Sequence, residues 1–303
     1  MRLRWFPLLL AGALCLALLF LTLPIAAIFL QVGPGELIDR LGDPQATDAL
    51  RLSLITSGIA LVLILVVGTP AAYLIATRRF RGRSVVITAI ELPLVLPPAV
   101  AGIGLLAAFG PSGLLGGAIE DAGVRLVFET AGVVVALTFV ASPFYLRQAQ
   151  AAFEAVDPTW LQASRTLGSG EARTFARVAI PAAMPGLAAG TALAWGRALG
   201  EFGATLVFAA TFQGITQTAP LAIVELFGSD FTAALALSAV LVAVSAALLL
   251  SVKLVIGRGA GAPGRRSSAA RRTCRRPTVP AAPGSARRAR RDGCRARARR
   301  AFR

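Results

Sequence analysis

The sequence predicts an all-helical integral membrane protein with six transmembrane helices and both termini on the cytoplasmic side. Three observations predict it. The 303 residues are 56% hydrophobic and only 15% charged, where a soluble domain carries about 25% charged residues. Charge-free runs of the length that crosses a hydrocarbon core recur along the chain. The basic residues between those runs alternate in density from one side to the other, and the side that collects arginine is the cytoplasmic one.

The runs come in order. Trp5 to Gly35 is the first, too long for the apolar core of a signal peptide and therefore expected to be retained, although Arg2 and Arg4 precede it. Residues 52–77 form the second, and 92–119 the third, entered from Val85. The fourth covers about 130–146 and ends in Phe144-Tyr145, a pair suited to the membrane interface. The fifth covers about 182–210 and the sixth about 231–256. One set of connections holds Arg2 and Arg4, then Arg78, Arg79, Arg81 and Arg83, then Arg147, Arg165, Arg173 and Arg177, then Lys253 and Arg258. The opposite set holds only Arg40, Arg51 and Arg125, so the loops near 36–50, 110–129 and 212–230 are expected to face outward.

The net charge of +16 belongs to the end of the chain. Residues 258–303 hold 16 arginines against the single acid Asp292, while residues 1–257 hold 15 basic and 14 acidic side chains. The division is therefore residues 1–49 (first helix and outer loop), 50–257 (the membrane core) and 258–303 (the Arg-rich tail). The tail's Arg, Ala, Pro and Gly predict disorder. It reads either as a polybasic anchor for anionic lipids or, preferred here, as a non-functional extension. Nucleic acid is not an expected partner, because only Phe302 could stack with a base.

Composition also excludes chemistry. Without histidine there is no Ser-His-Asp triad, no His-based metal site and no His proton relay. Cys15, Cys274 and Cys294 are too scattered for a metal knuckle. The only lysine, Lys253, is followed by Leu254, so no phosphate-binding loop ending in Gly-Lys-Ser/Thr exists. No catalytic residue, metal site or bound cofactor is expected.

One loop departs from the usual short polar connection. It reads VDPTWLQASRTLGSGEARTFARVAIP. Asp157 is a candidate helix cap before Pro158, and Gly168 a candidate left-handed stop. Between them Trp160, Leu161, Ser164 and Leu167 share one side of a short amphipathic helix. A second helical stretch follows Ser169, with Glu171 in its first turn and Arg173 and Arg177 four apart, until Pro181 interrupts the pattern. Such a helix either lies on the membrane surface or docks on a partner.

This segment resembles the cytoplasmic loop of permease subunits of ATP-binding-cassette (ABC) importers, whose pattern runs Glu-Ala-Ala, three residues, Gly, nine residues, Ile-x-Leu-Pro. Here Gln162, Ala163 and Ser164 are followed after three residues by Gly168, and after nine more by Val178, Ala179, Ile180 and Pro181. Gln162 replaces the acid and Ser164 the second alanine. Two further segments, LPLVLPP at 92–98 and WGRALGEFGAT at 195–205, resemble the molybdate, tungstate and sulfate branch. QTAPLAI at 217–223 resembles the molybdate members most.

The resemblance covers about residues 50–255. It implies the type I ABC importer membrane fold and a permease homodimer with the passage on its axis. It also implies two separate ATPase subunits carrying ATP and Mg, and an extracytoplasmic oxyanion-binding protein. Residues 157–181 would be the coupling loop. A sulfate or thiosulfate permease is the alternative substrate reading. A stand-alone secondary anion transporter is the alternative class, and it leaves the loop unexplained.

Within the membrane, Pro93, Pro97 and Pro98 remove backbone donors. They predict either a bent pore-lining helix or a packing kink. Gly186, Gly190, Gly196, Gly200 and Gly203 predict close helix packing, for which a subunit interface is one location. Arg197 and Glu201, four apart, read as a self-neutralising pair. The sharper reading has Arg197 and Thr205 lining the passage for an oxyanion. Glu91 is expected to pair with one of the arginines at 78–83.

Overall fold

The computed structural model describes residues 5–33, 35 and 42–259, and every regular element among them is helical. Five helices are long and apolar enough to cross a membrane, and a sixth crossing exists only if a sharply bent pair is taken as one span. Arg2, Arg4, Arg40 and residues 260–303 of the Arg-rich tail lie outside the described residues.

Helix α1 (Trp5–Gln31) has no ionisable residue except Cys15 and buries none of its described side chains. It lies against the last helix, α12 (Phe231–Gly259). A rod apolar on all sides is stable where lipid, not water, surrounds it. Helix α2 (Pro44–Thr77) is opened by Asp43, whose Oδ1 accepts the Gln45 amide at 3.0 Å, and by Pro44 in its first turn. Its 34 residues reach about 51 Å at 1.5 Å per residue, well beyond a hydrocarbon core of about 30 Å. Part of the loop expected at 36–50 is therefore helix.

The core is made by α2, α6 (Thr130–Glu154) and α9 (Ile180–Leu199). Its buried residues are largely alanines (Ala60, Ala72, Ala141, Ala149, Ala183, Ala194), which let backbones approach closely. Tyr145 is 1% exposed at its centre and bonds Thr69 through its hydroxyl at 2.6 Å. A Cβ on Gly68 would stand 2.9 Å from its ring, and one on Gly190 would stand 3.3 Å away. The expectation that Phe144-Tyr145 ends the fourth span at an interface is thus corrected. The apolar stripe of α6 continues to Phe153, and Tyr145 belongs to the core.

The third span is not straight. Helix α3 (Arg83–Val95) and α4 (Pro98–Phe109) meet at a bend of 118°. Leu96 and Pro97 both take extended backbone (ψ 132° and 137°), as expected of residues that precede a proline. Pro93, in contrast, is absorbed within α3. The fifth span is broken too. After α9, Gly200–Phe202 leave the helix, and α10 (Gly203–Ala209) starts afresh. Pro181 does not end its helix: Glu171–Leu199 runs through it, because a π-helical turn at Phe175–Ala179 precedes α9. Widened turns accommodate a residue that donates no hydrogen bond and crowds the carbonyl four residues back.

Glu91 pairs with Arg147 of α6 at 2.9 Å, not with the arginines at 78–83. Helix α3 runs along α6, and Arg83 lies eight residues earlier, about 12 Å away along the helix. There Arg83 pairs with Glu154 at 2.7 Å. Short helices α5 (Gly116–Asp121) and α11 (Ala219–Ser229) complete the connections.

Candidate functional site

The 157–181 loop is built of short helical segments whose ends are closed by local bonds. The Oδ1 of Asp157 accepts the Thr159 amide at 2.9 Å, and Pro158 starts α7 (Pro158–Thr166). That bond holds the Asp157 carboxyl below the usual carboxylate range. The far end closes by two crossed backbone bonds, Ser169 N–H to Ser164 C=O at 3.1 Å and Gly168 N–H to Arg165 C=O at 3.0 Å. Gly168 has φ +81°, the left-handed conformation that this closure requires. Both helix-end expectations hold.

The expected single face is divided. Leu161 packs against the core cluster, and the Ser164 hydroxyl bonds Thr174 of α8 (Glu171–Thr174) at 3.0 Å. Trp160 is 57% exposed and Leu167 87% exposed, with Gln162 and Ala163 also exposed between them. No residue of α7 itself is buried. The helix is held by its caps and by two inward side chains, and it offers an aromatic ring and a leucine outward.

Behind it lies a junction that sequence spacing did not suggest. Phe175, in the π turn, packs on Tyr73 of α2 with ring centroids 4.7 Å apart, and on Phe153 of α6 at 6.1 Å. Tyr73 and Phe153 meet edge-to-face at 5.3 Å. Arg78 pairs with Glu171 across 93 positions of sequence. The π turn that follows α8 is therefore in direct contact with α2 and α6, and α8 is tied to the end of α2. Nothing in the residue pattern marks a π turn or aromatic pairing across such separations.

In the membrane body the proline and glycine breaks touch. A Cβ on Gly203 would stand 2.6 Å from Pro98, and one on Gly102 would meet Val207 at 2.7 Å and the Ala204 carbonyl at 2.9 Å. Gly186 presses on Ala152 of α6. The expected close packing is thus found inside one chain at Gly186, Gly190 and Gly203, whereas Gly196 faces open space. Glu201, 1% exposed, caps α10 by accepting the Ala204 amide at 2.8 Å, and its other oxygen pairs with Arg197 at 2.5 Å. Thr205 is fully buried, and its hydroxyl has no partner. Pro93 lies apart from this junction, inside α3.

The fold belongs to a known class. The chain superposes on a chain of a bacterial ABC transporter that imports the acidic polysaccharide alginate, with a TM-score of 0.66 at 18% identity, covering 84% of this chain and 95% of that one. It also superposes on a chain of the inward-facing MetNI methionine ABC transporter, with a TM-score of 0.56 at 16% identity, covering 70% of this chain and 94% of that one. This is the membrane-domain fold of type I ABC importers. Residues 64–258 match the family described as binding-protein-dependent transport system inner membrane component, and the chain belongs to that family. The molybdenum transport system permease protein ModB of Mycobacterium tuberculosis is 40% identical over 237 residues, 78% of this chain and 89% of that protein. The sulfate transport system permease protein CysT of Escherichia coli is 32% identical over 257 residues, 84% and 93% of the two chains. The chain is accordingly a multi-pass inner-membrane transport component.

Proposed function

We propose that this chain is the permease subunit of an ABC importer that carries molybdate or tungstate into the cytoplasm. The observation that carries the substrate class is the 40% identity to a molybdenum permease across nearly that protein's whole length. Relatives named for molybdate, tungstate and sulfate agree on a tetrahedral oxyanion of charge −2. ATP and Mg sit on two separate ATPase subunits, since this chain has no phosphate-binding loop. An extracytoplasmic binding protein delivers the ion to a homodimer of this chain whose termini and 157–181 loop face the cytoplasm, as the arginine distribution supports.

The loop residues take definite roles in this reading. Trp160 and Leu167 are the anchors that enter the ATPase cleft, since buried aromatic anchors dominate such contacts. Gln162 and Ala163 lie between them at its rim. Asp157 and Gly168 fix the helix ends, while Leu161 and Ser164 key it to the body. Closure of the ATPases on ATP displaces α7, and the aromatic junction at Phe175 hands that displacement to α2 and α6.

The test is uptake of labelled molybdate, tungstate and sulfate into proteoliposomes holding this chain with its ATPase, with ATP inside and binding protein outside. ATP-dependent molybdate or tungstate uptake is expected. Sulfate uptake alone would reassign the substrate, and uptake indifferent to ATP would return a secondary transporter.

A further inference from the structure

The two broken helices have a feature that neither their packing nor the importer's general scheme accounts for. Both interruptions fall at one place: Leu96–Pro97 before α4, and Gly200–Phe202 before α10, joined by the Pro98–Gly203 contact. Non-helical backbone at membrane depth persists only where protein buries it or water reaches it. Discontinuous helices in transporters commonly surround the point where an ion is held. Here no side chain caps the first amides of α4, and the Ala99 amide nitrogen lies 3.6 Å from where a Gly203 Cβ would be.

The charged groups at this junction are unequal. Glu201 is 1% exposed, with one oxygen accepting the Ala204 amide and the other held in an ion pair with Arg197 but accepting no hydrogen bond. The Arg197 side chain is 28% exposed and touches Glu201 through a single nitrogen, with no other partner among the described residues. A guanidinium carries five N–H donors, so most of its fork is free. It is also the only ionisable side chain in α9, and α4 and α10 have none. Thr205, two residues beyond Gly203, adds a buried hydroxyl without a partner.

We infer that the junction of the two breaks is a narrow point of the anion's passage, where the free edge of Arg197 makes the charged contact with the passing oxyanion. Glu201 is the positioning residue: it pins the start of α10 and offsets the arginine's field, so the ion is met but not retained. The inference rests on the importer reading. The chemistry recognised is a fork of N–H donors against two oxygens of a dianion.

The test uses the complete reconstituted importer and compares uptake with binding-protein-stimulated ATP hydrolysis. Arg197→Gln should keep stimulated hydrolysis and lose uptake by about tenfold or more, the scale of one hydrogen bond to a charged group. Glu201→Gln keeps an acceptor for the Ala204 amide and removes the counter-charge. It should lower both the maximal uptake rate and the concentration of loaded binding protein giving half that rate. If Arg197→Gln fails to assemble, Arg197→Lys decides, because it keeps the charge beside Glu201 and removes only the fork. Uptake lowered about threefold or more with hydrolysis intact upholds the inference, and wild-type uptake overturns it. Wild-type uptake by Arg197→Gln overturns it equally. ATP-independent uptake by the unaltered complex would instead remove the importer reading itself.

Discussion

The 157–181 loop and the α4–α10 junction are both places where a helix stops and restarts, yet they are stabilised in opposite ways. The loop is exposed, and its helix survives because both ends are satisfied locally, by Asp157 on the Thr159 amide and by the crossed bonds around Gly168. At the junction Pro97, Pro98 and Gly200 are exposed while Glu201, Ala204 and Thr205 behind them are buried, and its shape is set by close contacts where Pro98 meets Gly203 and Gly102 meets Ala204. A capped helix can be displaced whole and keep its form. A close-packed joint tolerates few intermediate positions, so movement there takes discrete steps. That contrast suits a loop that receives motion and a body that switches.

Substitutions in the two regions should act differently, most strongly in the membrane body. Gly186→Leu forces a side chain into Ala152 and should destabilise the membrane body by about 3 kcal/mol, read as a loss of folded protein in a detergent-unfolding titration. Trp160→Ala should leave that titration within about 0.5 kcal/mol of wild type while weakening ATPase association by about 2 kcal/mol or more, measured by pull-down of the ATPase at graded concentrations. Gly168→Ala puts a Cβ into a left-handed position with open space around it. The cost should be about 1 kcal/mol, seen as fraying of α7 in hydrogen exchange.

The smallest effect is local and pH-dependent. Asp157 has a lowered pKa in the folded loop, so its cap is fully present above the ordinary carboxylate pKa of about 3.9. The cap is lost as pH falls through the lowered value. Protection of the Thr159 amide should follow that course, and Asp157→Asn, which keeps an acceptor, should remove the pH dependence.

Much of this was legible in the sequence because it depends on local chemistry. Apolar runs located most of the membrane helices, Asp157-Pro158 and Gly168 marked the ends of α7, and Pro97-Pro98 marked a disturbance in the third span. What escaped depends on contacts between distant positions. The proline pair announces a break but not its 118° angle. Gly200 and Gly203 were read as packing residues, and the break between them became visible only where Pro98 lies against Gly203. Amphipathic periodicity put Trp160 and Leu161 on one face, but a short helix touching the body at its flank divides that face. Glu91 found Arg147 because α3 lies along α6, which charge proximity in sequence could not show.

In the proposed function α7 carries the work of ATP into the membrane body. ATP hydrolysis and molybdate uptake measured side by side in the same proteoliposomes, for the unaltered chain and for Gly168→Pro, put that role to the test. Proline holds φ near −65° and cannot occupy the left-handed stop at Gly168, so uptake and binding-protein-stimulated hydrolysis should fall together while the membrane body remains folded. Unchanged ATP-driven uptake with α7 deformed in this way would contradict it.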